Sequence, residues 1–212
     1  PDQVFYMNDD GFEVPGEGVV EYQHYTVDPG FTEDKWVKCA EARPGNFAVV
    51  HHIIVFVVPP RERGQRRELE GALLGYAPGT QATILREGYG IKIPAGSKLV
   101  FQLHYTPVGS VEQDRSSIGF VYMDESEVTH EVKGGVCGTT DFSSPAGSDE
   151  YSVVAKETLK NDRTLMAMLP HMHLRGKAFR YEATYPDGKS EILLDVPDYV
   201  FNWQLWYEVA KT

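Results

Sequence analysis

The run Ala48-Val-Val-His-His-Ile-Ile-Val-Phe-Val-Val58 is apolar at every position except a pair of histidines. A β-strand sends successive side chains to opposite faces, so a run that is apolar at both parities must be covered on both sides. The expected place for it is the centre of a β-sandwich. A second run, Lys98-Leu-Val-Phe-Gln-Leu-His104-Tyr-Thr, alternates cleanly. Leu99, Phe101, Leu103 and Tyr105 share one apolar face, while Gln102, His104 and Thr106 share the polar one. His104 is therefore expected to point away from the core of its own sandwich.

The rest of the chain keeps this rhythm. Val19-Val-Glu-Tyr-Gln-His24-Tyr-Thr-Val, Lys35-Trp-Val-Lys-Cys-Ala-Glu-Ala and Asp114-Arg-Ser-Ser-Ile-Gly-Phe-Val-Tyr-Met123 also read as strands. Asp28-Pro-Gly, Arg43-Pro-Gly-Asn and Pro94-Ala-Gly-Ser are turns, with Pro presetting φ and Gly taking the strained position. Residues 71–79 look irregular. Gly134-Gly-Val-Cys-Gly-Thr-Thr followed by Ser143-Ser-Pro-Ala-Gly-Ser reads as a linker, which puts a boundary near residue 138. Beyond it strands are expected at 150–159, 164–173, 177–185, 191–196 and 202–209, with Tyr185-Pro-Asp-Gly-Lys as a hairpin turn. Abundant Gly (20), Pro (13), Tyr (12) and Phe (10) fit an all-β protein of two units, 1–137 and 138–212. About five strands in the second unit fall short of the roughly eight of a jelly roll, so that unit is expected to be incomplete. The chain begins at Pro1 without a signal peptide, which reads as an excised or processed segment.

A formal charge of -11 disfavours nucleic acid and anionic membrane surfaces as partners, since both repel an acidic protein. The basic cluster within residues 61–70 is balanced by acids and reads as a solvated loop or short helix. No apolar run reaches the length of a membrane span. Cys39 and Cys137 are too few for a thiolate metal site, and they either form one bridge or stay as two thiols.

Five of the seven histidines fall in three places: His51-His52, His104 and His171-Met-His173. On a strand His171 and His173 would leave the same face about 7 Å apart and could converge on one ion. His51 and His52 would face opposite ways unless the strand bulges or twists there. Imidazoles without thiolates suit copper or zinc, and no carboxylate stands in ligand spacing to complete a zinc hydrolase. No His-Glu-x-x-His helix, nucleophile elbow or phosphate loop is present. His24 and His130 read as structural or solvated. Ligating imidazoles must be neutral, so metal affinity is expected to fall below about pH 6.

His51-His52, Gln102-Leu-His104-Tyr105 and His171-Met-His173-Leu-Arg-Gly-Lys177, in that order, resemble the copper type II, ascorbate-dependent monooxygenases. Pro-Gly-Asn-Phe-Ala-Val-Val-His-His, Gly-Tyr-Ala-Pro-Gly-Thr, Leu-Pro-His-Met-His-Leu-Arg-Gly-Lys and Phe-Asn-Trp-Gln resemble the bacterial branch in particular. The resemblance spans nearly the whole chain. It implies two tandem jelly-roll-type β-sandwich domains, the second incomplete, facing each other across a solvent-filled gap. It also implies two mononuclear copper sites. His51, His52 and His104 would hold the electron-donating copper; His171 and His173 would hold the copper that activates dioxygen. The family's third ligand to the second copper, a methionine on a late strand, has no counterpart here, since Met166, Met168 and Met172 are wrongly placed. The 212-residue chain is therefore expected to bind that copper more weakly and to be impaired as an enzyme.

The implied reaction is hydroxylation of a C–H bond in a small molecule or peptide. Electrons would come from ascorbate or from an attached thioredoxin-like or cytochrome c domain, in an extracytoplasmic setting, periplasmic or secreted. Two other readings stand beside it. One is a copper-binding or electron-transfer module of a larger redox protein without hydroxylase activity; the other is a β-sandwich interaction domain with relic histidines.

Overall fold

The computed structural model describes residues 1–60 and 72–210, and the basic cluster of the sequence falls outside them. In chain order the first strands are β1 (Gln3–Tyr6), β2 (Phe12–Val14), β3 (Gln23–Val27), β4 (Lys35–Arg43), β5 (Val50–Val58) and β6 (Ala72–Tyr76). Then come β7 (Thr83–Ile84), β8 (Tyr89–Ile93), β9 (Lys98–Tyr105), β10 (Glu112–Asp114), β11 (Ser117–Met123) and β12 (His130–Glu131). The last four are β13 (Ala167–Met168), β14 (Phe179–Thr184), β15 (Ser190–Val196) and β16 (Tyr207–Glu208). The protein is all-β.

Two sheets share one core. The larger runs β1-β11-β4-β8-β12, with β7 also on β4; the other runs β3-β9-β5-β6. β5 thus has a neighbour on each side, as its apolar sequence requires. The alternation read in β9 is realised, since Leu99, Phe101, Leu103 and Tyr105 are buried while Gln102 and His104 are only half-buried. Facing contributions come from Val37 on β4, Ile93 on β8 and Ile118 and Phe120 on β11, all fully enclosed with Ile53 and Val55 of β5. Burying side chains of this size stabilises by about 1.5–3 kcal/mol each.

One buried carboxylate ties the end of this core to the start of β5. Asp114 accepts hydrogen bonds from the Tyr105 hydroxyl (2.8 Å), the Ser116 hydroxyl (2.9 Å) and the backbone N–H of Asn46 (2.8 Å). The Asn46 carbonyl in turn accepts from the N–H groups of Val49 and Val50. The turn predicted at Arg43-Pro-Gly-Asn is therefore fastened from inside. Burial, and next the Asp114 charge, push the Tyr105 phenol well above its ordinary range, so it remains a donor.

Several expected strands differ. The alternation at 19–27 becomes ladder only from Gln23, and Val19 is 91% exposed. The stretch read as irregular contributes β6, because the exposed edge of β5 accepts it in register from Ile53↔Tyr76 onward. Residues 150–159 form no strand. Their apolar side chains meet no neighbouring ladder, and Tyr151, Val153, Val154 and Leu159 stay exposed. Alternation alone does not make a strand without a partner. The hairpin at Tyr185-Pro-Asp-Gly-Lys is present, joining β14 to β15 with Gly188 at φ 84°, a left-handed value that glycine adopts without strain. Cys39 is half-buried and Cys137 exposed, and both are free thiols. Among the described residues no helix is long and apolar enough to cross a membrane.

Replacing Asp114 by Ala removes the carboxylate acceptor from two buried hydroxyls and one half-buried backbone N–H. A loss of about 3–5 kcal/mol in urea unfolding is expected, against about 1–2 kcal/mol for Tyr105→Phe, which removes only one donor.

Candidate metal centre

The register of β5 against β9 runs regularly from Val58↔Lys98 to His52↔His104, then shifts before Val50↔Tyr105. Two residues of β5 therefore oppose one step of β9, and His51 is the extra residue. This is the bulge that the adjacent pair needed. It brings both imidazoles to the side on which His104 stands.

The three rings form a near-equilateral group, with centroids 5.4 Å (His51–His52), 5.1 Å (His51–His104) and 5.1 Å (His52–His104) apart. One ring nitrogen from each lies within 4.8 Å of the others, so the triad could hold a metal ion. Two nitrogens at about 2.0–2.1 Å from one ion and at a tetrahedral angle stand roughly 3.3 Å apart, so small ring rotations suffice. His51 Nδ1 and His52 Nδ1 are already 3.1 Å apart.

The outer hydrogen bonds say which nitrogens are free. His51 Nε2–H donates to the Asn202 Oδ1 (3.0 Å), leaving a bare Nδ1 facing His52. His104 Nδ1 is buried without any partner. A buried polar nitrogen without a partner costs about 1–3 kcal/mol, and a cation would remove that cost. Tyr22 stacks on His104 (4.9 Å, 24°) and Phe201 stacks on His51 (4.6 Å, 13°), so aromatic faces enclose the group. The donor set is neutral nitrogen without thiolate, which suits copper or zinc.

His171 and His173 arrive differently. The expected strand at 164–173 stops at Met168, and both histidines sit in the following loop. Pro170 has no N–H for a ladder and disfavours its continuation. Side-chain bonds hold the loop instead. The Tyr199 hydroxyl accepts from Met172 N–H (3.0 Å) and donates to the Met172 carbonyl (2.7 Å), while the Tyr181 hydroxyl donates to the Leu169 carbonyl (2.9 Å). Gly176 lets the loop close: a Cβ there would lie 2.7 Å from Met172 Cβ and 2.9 Å from the Tyr199 ring. The two imidazoles are 5.3 Å apart by ring centroid and exposed, and Met172 packs along Gly176.

Gln204 fixes the proton on His171. Its Nε2–H donates to the Phe201 carbonyl (2.8 Å), so its Oε1 is the atom that accepts from His171 Nδ1–H at 2.6 Å. Nε2 of His171 is then the nitrogen with the lone pair.

The two groups are not held apart by a wide gap. The His171 ring stands edge-on to His52 at 6.3 Å between centroids, so the five histidines share one locality. His24 and His130 lie elsewhere, on Gln102 (2.9 Å) and against Tyr89 (4.6 Å). Tyr22, Asn202 and Gln204 went unread as site residues. Phe-Asn-Trp-Gln was visible as a phrase, but nothing in its spacing says that it turns back onto the histidines.

Burial first, then the neighbouring imidazoles, lower the His52 pKa from 6.5 to about 3, and the same two causes lower that of His104. At these two ligands protons therefore compete with a metal less strongly than at an ordinary imidazole. Between about pH 3 and 6.5 His52 takes up a proton in the unfolded chain and not in the folded one, so its ionisation costs folding nothing above 6.5 and lowers stability as the pH falls through that window. Apoprotein unfolding measured at pH 7 and pH 5 should show a drop that is smaller in His52→Leu by about 2 kcal/mol. No model of a known protein family matches the chain, and no curated protein matches it.

Proposed function

We propose that the chain is a copper-dependent monooxygenase module. In this reading His51, His52 and His104 hold a copper that passes electrons, and His171 and His173 hold a second that faces dioxygen and substrate. The observation that carries it is the bulge at His51, which turns two adjacent imidazoles toward His104, whose buried Nδ1 has no other partner. The motif order noted in the sequence selects copper over zinc. Bound in such sites, copper supplies one-electron chemistry toward dioxygen and hydroxylation of a C–H bond, with ascorbate or another one-electron donor restoring it.

The protein's own groups have defined tasks. Asn202 and Gln204 hold one proton each on the outer nitrogens of His51 and His171, which aims the opposite nitrogens at the metal. Burial keeps His52 neutral and able to ligate. Tyr22 and Phe201 cover the triad and limit water around it. His171 and His173 are exposed, as residues meeting a substrate from solvent must be. The substrate is a small molecule or peptide.

One observation favours a second reading, a copper-binding or electron-transfer module without hydroxylase activity. Among the described residues the triad is the one His, Cys, Asp or Glu group of three, and the His171 loop offers two imidazoles. The readings separate on oxygen. Copper-loaded protein given ascorbate and candidate substrates should consume oxygen and form hydroxylated product, and His171→Ala should abolish both. Retained copper with no oxygen uptake under any donor leaves the electron-transfer reading. Loss of stoichiometric copper in His104→Ala, measured after dialysis, excludes an interaction domain with relic histidines.

A further inference from the structure

One short turn touches both histidine groups. At residues 201–204 the Phe201 ring lies flat on His51 at 4.6 Å and also meets His104 at 6.4 Å. Asn202 Oδ1 accepts from His51 Nε2–H at 3.0 Å. Gln204, 6% exposed, accepts from His171 Nδ1–H at 2.6 Å and donates to the Phe201 carbonyl at 2.8 Å. The Trp203 N–H closes the turn on the Val200 carbonyl. A continuous path of contacts therefore runs from His171 through Gln204 and Phe201 to His51.

We propose that this turn is a clasp that positions both histidine groups at once, so that the triad and the His171 loop take up metal as one coupled unit. Asn202 and Gln204 are positioning residues; neither is a ligand. Gln204 does not touch the triad, yet it holds the Phe201 carbonyl and so holds the ring stacked on His51. A disturbance at Gln204 must reach His51 if the clasp exists. The metal part of this proposal rests on the copper reading above; the proton placement does not.

The test uses the full chain, titrated with copper(II) and followed by electron paramagnetic resonance, beside nitrogen-15 spectra of the histidine rings without metal. Removing an outer partner of a ligating histidine typically costs 10–100-fold in metal affinity. Asn202→Leu should weaken the triad by about that factor and change its copper spectrum, whereas Asn202→Asp, which keeps the acceptor, should stay within about threefold. Gln204→Leu should weaken copper at His171 and also shift the triad's spectrum and affinity. In the metal-free chain His51 should carry its proton on Nε2 and His171 on Nδ1, and Gln204→Leu should disturb the signals of both. A triad unchanged in Gln204→Leu, by copper spectrum and by the His51 nitrogen signals, overturns the clasp. If the wild type takes no copper while Gln204→Leu still disturbs both rings, the copper reading fails and the clasp stands. Asn202 is exposed, so its variants carry the test should Gln204→Leu not fold. Asn202→Leu without effect on the His51 signals likewise overturns the proposal.

Discussion

One irregularity in a ladder governs this protein. Were β5 and β9 paired without a shift, His51 and His52 would leave opposite faces of the sheet, and no ion could take both. The extra residue at His51 breaks that parity at the one place where it matters. Below it the ladder is regular, and Ile53, Val55, Leu99, Phe101 and Leu103 are wholly or almost wholly enclosed. Above it the chain is pinned through Asn46 to the carboxylate of Asp114. The bulge is clamped between a rigid apolar ladder and a buried polar anchor, so it cannot slide along the strand.

The same arrangement creates an electrostatic problem. Burial first, and then the neighbouring imidazoles, lower the affinity of His52 and His104 for protons. In the neutral cluster His52 Nδ1–H donates to the bare Nδ1 of His51 at 3.1 Å, while the buried Nδ1 of His104 is left without a partner. The enclosing groups do not supply one. Tyr22 and Phe201 offer ring faces, and the Asn202 and Gln204 amides accept hydrogen bonds from the outer ring N–H groups. The interior of the site is lined by ring faces and imidazole nitrogens.

Much of this was legible in the chain. The central place of β5 followed from apolar residues at both parities, and the two faces of β9 followed from strict alternation, including the outward turn of His104. The need for a bulge was legible too, because neighbouring histidines cannot otherwise converge; whether one existed was not, since bulges leave no fixed signature in side-chain pattern. The loop carrying His171 and His173 was misread as strand. Apolar and polar residues do alternate there, but Pro170 interrupts the ladder, and the tyrosines that replace it lie 12 and 27 positions away. Asn202 and Gln204 escaped for a related reason: an amide side chain says nothing about which distant ring it will meet. Residues 150–159 show the converse, a strand-like pattern with no partner to pair with.

The two histidine groups rest on supports of unequal stiffness. The triad is seated on strands of nine and eight residues inside a four-stranded sheet, whereas His171 and His173 ride on a loop after a two-residue strand, fastened mainly by two phenol hydroxyls. Local opening is cheapest where few ladder bonds must break together. The backbone amide of Met172 should thus exchange its hydrogen for deuterium long before that of Ile53. One half of the site is built into a sheet, and the other is a loop whose shape rests on a handful of side-chain bonds.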